Sequence, residues 1–207
     1  MRLYYARGAC SLAPHIVLEE LAIPFTAVAV SLADDEQTAP DYLQINPRGR
    51  VPALEVHGSI YTEVPALLVY LASLKPEAGL TPPPGSTALA RCLEWVAWLS
   101  STFHAAIAQL FRPHRYLSAD ADTGPLQENG MHNIRAMAAE VEVSVGDGWL
   151  LGEAYTIADA YLFPFYRWGN IVGLSMSKDY PAWSAWITRM ARRPAVMRTL
   201  EREGIKL

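Results

Sequence analysis

The segment Lys75-Pro76-Glu77-Ala78-Gly79-Leu80-Thr81-Pro82-Pro83-Pro84-Gly85 limits the fold of this chain more than any other. Three consecutive prolines lack backbone donors and fix φ, so neither a helix nor a central strand passes through them. A boundary is expected here: one domain over residues 1–75, a Pro-rich linker over 76–86, and a second domain over 87–207. The two sides have different rhythms. Ahead of the linker, Leu3–Tyr5, Phe25–Val30, Ala53–Val56 and Ile60–Tyr61 read as strands. Ser11–Leu21 and Val64–Leu74 read as helices, with a weaker helical stretch over Pro40–Ile45. His57-Gly58-Ser59 is a tight hairpin signal. A βαβ start with a later hairpin predicts a small α/β sheet with helices on its faces.

Beyond the linker every periodic segment is helical. Apolar residues recur at three- and four-residue steps from Thr87 to Leu110, and a second helix is expected from Pro125 to Val145, stopped by Gly146-Asp147-Gly148. A third starts at Thr156-Ile157-Ala158-Asp159, where Thr156 and Asp159 have the spacing of a capping box. Pro181–Arg192 and Ala195–Arg202, divided by Pro194, complete an all-helical half.

Composition narrows the function classes. A net charge of −4, without a Lys/Arg cluster interleaved with aromatics, argues against a nucleic-acid surface. No apolar run approaches the ~20 residues that cross a bilayer. Arg2, Arg7 and Gly8 break the first apolar stretch, so no secretory leader is expected. Two cysteines, Cys10 and Cys92, give neither a disulfide framework nor metal-ligand spacing, which points to a reducing cytoplasm. The five histidines are scattered, and no metal site is expected.

Cys10 stands where the first strand hands over to the first helix. A thiol there faces free backbone N–H groups and the positive end of a helix dipole, and both favour thiolate. The opposing expectation is a small, buried and inert side chain. In Arg50-Val51-Pro52-Ala53-Leu54, a proline just before a strand is either a plain turn residue or a cis residue at an edge that leaves the preceding backbone free to pair with a peptide. Glu63, just before a helix that opens with Val64 and Pro65, either serves the helix dipole or meets the ammonium of an amino-acid head group.

Together these pieces resemble the glutathione transferases, most closely the bacterial beta class. The resemblance runs over nearly the whole chain. It rests on Gly8-Ala9-Cys10-Ser11-Leu12, Asn46-Pro47-Arg48-Gly49, Val51-Pro52-Ala53-Leu54, Thr62-Glu63, Thr156-Ile157-Ala158-Asp159-Ala160-Tyr161-Leu162-Phe163 and Arg189-Met190-Ala191-Arg192-Arg193-Pro194, in that order. It implies an α/β thioredoxin-like N-terminal domain joined to an all-α helical bundle, in a homodimer. It implies glutathione as co-substrate and a small hydrophobic electrophile as its partner in the reaction. Cys10 and Ser11 would then compete for the glutathione sulfur. Val51, held by a cis-Pro52, would pair with the cysteinyl unit, Glu63 and the Val64 N–H would hold the γ-glutamyl end, and His104 would line the cleft. Four positions depart from that pattern: Asp35 where relatives carry a basic residue for the glycine carboxylate, Val64 where Ser or Gly is usual, Ala105 for Lys, and Ala97 for Asn. Arg48 and Arg50 are the candidates for the missing positive charge. A glutathione-dependent thiol–disulfide reductase using Cys10 by a monothiol route, and a non-catalytic binding or regulatory protein, are the alternatives. Among the later aromatics, Phe103, Phe111, Tyr116, Tyr166 and Trp168 either pack in the core, as aromatics at helical spacing more often do, or line an acceptor pocket. Arg112-Pro113-His114-Arg115-Tyr116 ends the long helix near the expected cleft and is assigned to the helix C-terminus rather than to an anionic acceptor.

Overall fold

The structure, a computed structural model, describes residues 1–206. Its first part runs β1 (Arg2–Tyr5), α1 (Leu12–Glu20), β2 (Thr26–Ala29), α2 (Pro40–Ile45), β3 (Ala53–Val56), β4 (Ser59–Thr62) and α3 (Val64–Ser73). The four strands form one sheet in the order β2-β1-β3-β4. β1 is parallel to β2 and antiparallel to β3, so Leu3 lies opposite both Ala27 and Leu54. The hairpin joining β3 to β4 turns on His57 (φ 49°) and Gly58 (φ 81°). Two successive positive φ values are what a two-residue turn needs to match strand twist.

Alternation assigns the faces. Leu3 and Leu54 point to one side and join α1 and α3 through Ile16, Leu67 and Leu71. Tyr4 and Ala53 point to the other and meet Tyr42 of α2. The result is the thioredoxin-like, three-layered arrangement expected from the strand and helix rhythm.

The second part is helical: α4 (Thr87–Trp98), α5 (His104–Phe111), α6 (Gly124–Val145), α7 (Ile157–Ile171), α8 (Met176–Asp179), α9 (Pro181–Ala191) and α10 (Pro194–Glu203). The expected single helix over Thr87–Leu110 is interrupted. Leu99–Phe103 forms a π turn between α4 and α5. The Ser101 hydroxyl donates to the Ala97 carbonyl at 2.9 Å, competing at this turn for a helix acceptor. The short α8 carries no sequence signal of its own. Thr156 and Asp159 form the expected capping box. Asp159 also accepts from the Leu150 N–H at 2.9 Å, and burial still raises its carboxyl to about 6. No helix among the described residues is long and apolar enough to cross a membrane.

α1 is buried nearly all round, from Leu12 to Glu19, because it lies between the sheet and the helical domain. Its polar groups therefore need partners from that domain. His15 Nδ1 is 2.7 Å from Glu203 Oε1, with both side chains fully buried. The second Glu203 oxygen accepts the Gly8 N–H at 2.9 Å. Glu19 pairs with Arg198 at 2.6 Å, and Glu20 with Arg193 at 2.6 Å. Trp168 of α7 donates from Nε1 to the Gly8 carbonyl at 3.0 Å. Replacing Glu203 by Ala orphans two buried donors at once, so Glu203→Ala is expected to lower unfolding free energy by about 3 kcal/mol or more. Urea unfolding checks this, and a loss below about 1 kcal/mol would show that the contact contributes little.

Candidate active site

Cys10 opens onto a cleft of about 520 Å³ between the two domains. Its walls bring together Cys10, Arg50, Val51, Pro52, Glu63, Val64 and His104. Ser11 is not among them.

The loop before α1 shows why. Gly8 takes φ 69°, and a Cβ there would collide with the Arg167 guanidinium. Ser11 is fully buried. Its hydroxyl donates to the Ala6 carbonyl and accepts from the Ala6 N–H, both at 3.1 Å. A hydroxyl has one proton, and here it closes the loop. The expectation that Ser11 rivals Cys10 for the glutathione sulfur is thus corrected: its side chain points inward and holds the turn that presents its neighbour.

Cys10 is 8% exposed, and its Sγ lies 3.5 Å from the Val51 carbonyl oxygen. Burial pushes the thiol up to about 12, and Glu63 adds to the rise; N–H groups of Cys10 and Ser11 and the charge of Arg115 pull the other way without overcoming it. The expected thiolate is therefore not the resident form. Desolvation outweighs the helix-terminus effect.

The opposite wall is built from a tied turn. Asn46 donates from Nδ2 to the Arg50 carbonyl at 2.7 Å, and the Tyr42 hydroxyl donates to the same oxygen at 2.7 Å. This double anchor fixes Val51, whose bond to Pro52 is cis. Arg48 reaches the Thr62 hydroxyl at 2.7 Å and stands 3.7 Å from Glu63. Glu63 holds φ 69°, an unfavourable region for a side-chain-bearing residue, and its carboxylate is 64% exposed. Val64 behind it is buried. Of the departures noted above, Asp35 lines a neighbouring cavity rather than this cleft, and Ala105 lines the cleft.

From the helical domain, the π turn delivers His104 at the first position of α5. Its ring centroid is 5.0 Å from that of Trp168 and 6.1 Å from that of Phe165. Burial, then the charges of Arg115 and Arg50, lower His104 to about 4, so it is neutral at physiological pH. Phe111, Tyr116 and Trp168 line the cleft as expected of acceptor-pocket aromatics. Phe103 packs instead against Phe165 and Trp183, and Tyr166 against Trp183. Arg112 and Arg115 also line the cleft, near which the end of the long helix was expected to fall. Tyr161 was missed entirely. It lies in the family-like Thr156–Phe163 run, is buried beside the cleft, and burial raises its hydroxyl. Among the described residues, no group of three or more His, Cys, Asp or Glu is placed to hold a metal ion.

Comparison with known proteins agrees with this geometry. The family model for the glutathione S-transferase N-terminal domain matches residues 8–74, and that for the C-terminal domain matches residues 103–194. The chain is 35% identical over 208 residues to glutathione S-transferase GstA of Escherichia coli O157:H7, covering all of both chains. The structure of a glutathione transferase homologue from Sulfitobacter with bound glutathione superposes with a TM-score of 0.92 at 35% identity, covering 99% of this chain and 98% of the other. That of a bacterial beta class enzyme from Sphingomonas chungbukensis gives 0.88 at 36% identity over the whole of both chains. Matched by both domain models in order and by relatives along its full length, the chain belongs to the glutathione S-transferase family and stands with its bacterial beta-class members.

Proposed function

We infer that this enzyme binds glutathione in the cleft and directs its thiol at small, hydrophobic electrophiles. One observation carries the reading: Cys10, Arg50–Pro52, Glu63–Val64 and His104, far apart in sequence, line one cleft of tripeptide size. Val51 offers backbone to the cysteinyl unit. Glu63, largely exposed on the cleft wall, offers a carboxylate to the γ-glutamyl ammonium, and the amides opening α3 suit the adjacent carboxylate.

The protonation states select the chemistry. Glutathione's thiol has an ordinary pKa of roughly 8.5, so it needs stabilisation to ionise at pH 7. Cys10, held near 12, is a thiol at that pH and therefore a donor. A thiolate placed beside it is a stronger acceptor than the Val51 carbonyl it now faces. The glutathione sulfur then forms a C–S bond as the leaving group departs from the electrophile, and the thiol proton passes to solvent. Burial of Cys10 speaks against the monothiol reductase route, which needs its thiolate. His104, neutral and packed at a tilt against Trp168, lines the cleft without adding charge.

A homodimer in a reducing cytoplasm completes the reading. Tyr61, Val69, Leu74 and Leu93 are exposed apolar residues on β4, α3, the end of α3 and α4, and Tyr61 stacks on Tyr70 at 5.9 Å. Both cysteines are free and buried.

Isothermal titration is expected to show glutathione binding at micromolar to millimolar concentration, and no heat at 10 mM ligand would sink the reading. Cys10→Ala should lower kcat/KM for 1-chloro-2,4-dinitrobenzene about five- to tenfold, the worth of one hydrogen bond. A fall to background would instead make Cys10 the nucleophile. For His104, the folded value of about 4 lies below the ordinary ~6.5, so between these the unfolded chain binds the extra proton. Its contribution to stability is present above about pH 6.5 and is lost as pH falls toward 4. NMR titration of the His104 ring should show no midpoint above pH 5; one between 6 and 7 would contradict the buried, cation-flanked setting. Light scattering should give twice the chain mass, and Val69→Glu should shift it toward the monomer; a wild-type monomer at tens of micromolar would rule the dimer out.

A further inference from the structure

The acceptor side of the cleft carries an excess of positive charge that the fold does not neutralise. The cleft continues into a second cavity of about 540 Å³, and the two share Arg48, Arg50, Arg112 and Arg115. Arg48 is occupied by Thr62 and Glu63. Among the described residues, the guanidinium groups of Arg50 and Arg115 have neither an ion pair nor a hydrogen bond, and that of Arg112 reaches only its neighbour's Phe111 carbonyl, at 3.1 Å. The three are close enough to act on one another: Arg115 is held below its usual value by partial burial and then by the charges of Arg50 and Arg112. Like charges gathered on a concave wall repel, and an anion entering between them relieves that repulsion.

Their position separates them from the peptide-binding half. Arg112 ends α5, and Arg115 closes the 3₁₀ turn Pro113–Arg115 that follows, both on the helical domain. They share the cleft wall with Phe111, Tyr116 and Trp168. The charge of Arg115 reaches both Cys10 and His104, which places it within electrostatic range of the reacting sulfur. Of the nearby acids, Glu63 is paired with Arg48, and Asp35, which shares the second cavity with the arginines but does not line the cleft, is not among the charges that act on Arg115.

We propose that Arg112 and Arg115, faced by Arg50, form the anion-binding half of the acceptor site, so that the preferred electrophiles carry a carboxylate on the same small aromatic or aliphatic frame as the reacting carbon. Planar guanidinium forks suit a carboxylate, and the aromatic wall suits the frame that bears it. The proposal rests on the conjugation reading above. For a chloronitroarene the balance is simple: the glutathione thiol loses its proton to solvent, its sulfur bonds to the ring carbon, and chloride leaves with the C–Cl electron pair. The same carboxylate chemistry is offered by glutathione's own glycine end, and the test must tell the two sources apart.

A matched pair does so: 4-chloro-3-nitrobenzoate and its neutral amide, 4-chloro-3-nitrobenzamide, differ in charge but not in leaving group. The wild type is expected to favour the benzoate in kcat/KM, and Arg112→Gln/Arg115→Gln to cut the benzoate-to-benzamide ratio about tenfold or more, the loss of one or two charged hydrogen bonds. An unchanged ratio overturns the proposal. So does an equal loss on both electrophiles with a raised KM for glutathione, which would assign the arginines to the glycine carboxylate. Binding of the two preformed glutathione conjugates, measured by titration, requires no turnover. Tighter binding of the carboxylate conjugate, abolished in the variant, supports the anion site. Equal affinity overturns it while leaving the conjugation reading intact, and failure of both conjugates to bind overturns both.

Discussion

The Glu203 carboxylate, fully buried at the end of α10, is the contact on which the rest of the site depends. One oxygen holds the Gly8 amide and the other holds His15, so the helical domain grips the thioredoxin-like domain at the loop that carries Cys10. A buried carboxylate is tolerable only when its oxygens are occupied, and each partner is equally in need of it. Trp168 takes the Gly8 carbonyl from the other side. With both polar groups of Gly8 claimed by the second domain, the position of a thiol two residues later is set by helices more than 150 residues away in sequence.

The cleft built on this grip discourages charge in its own groups while advertising it to others. Cys10 and His104 line the cleft from different domains and are both neutral at pH 7, one pushed up and the other down by the same loss of water. Around them stand arginines that keep their charge. Such a site contributes little negative charge near the reaction centre, and a thiolate or a carboxylate brought in by a ligand meets donors and cations already in place. On the function proposed above, that arrangement rather than a resident thiolate promotes the thiol chemistry.

Much of this was legible in the sequence because local chemistry and tertiary demand agreed. His57 and Gly58 accept the positive φ values that a two-residue turn between strands needs, and Thr156 with Asp159 has the spacing of the capping box that it forms. The family resemblance carried Cys10, Val51, Glu63 and His104 to neighbouring positions. Ser11 was misread because its identity says nothing about direction: a hydroxyl beside a thiol could face the cleft, and only the Ala6 loop decides that it does not. The thiolate expectation failed for a related reason, since the helix terminus is visible in sequence and the depth of burial is not. Arg112 and Arg115 look like ordinary helix-end cations until the chain turns back over the cleft.

The π turn at Leu99–Phe103 has a consequence for how this site can change. An α-helix advances about 100° per residue, and a π turn holds one residue more than its α counterpart. The wider turn absorbs that extra residue, so deleting one there would restore regular α geometry with His104 kept near its present face, whereas deleting one within α4 or α5 would turn everything after it by that angle. The π turn is therefore a place where a residue can be gained or lost while the same face of α5 stays toward the cleft.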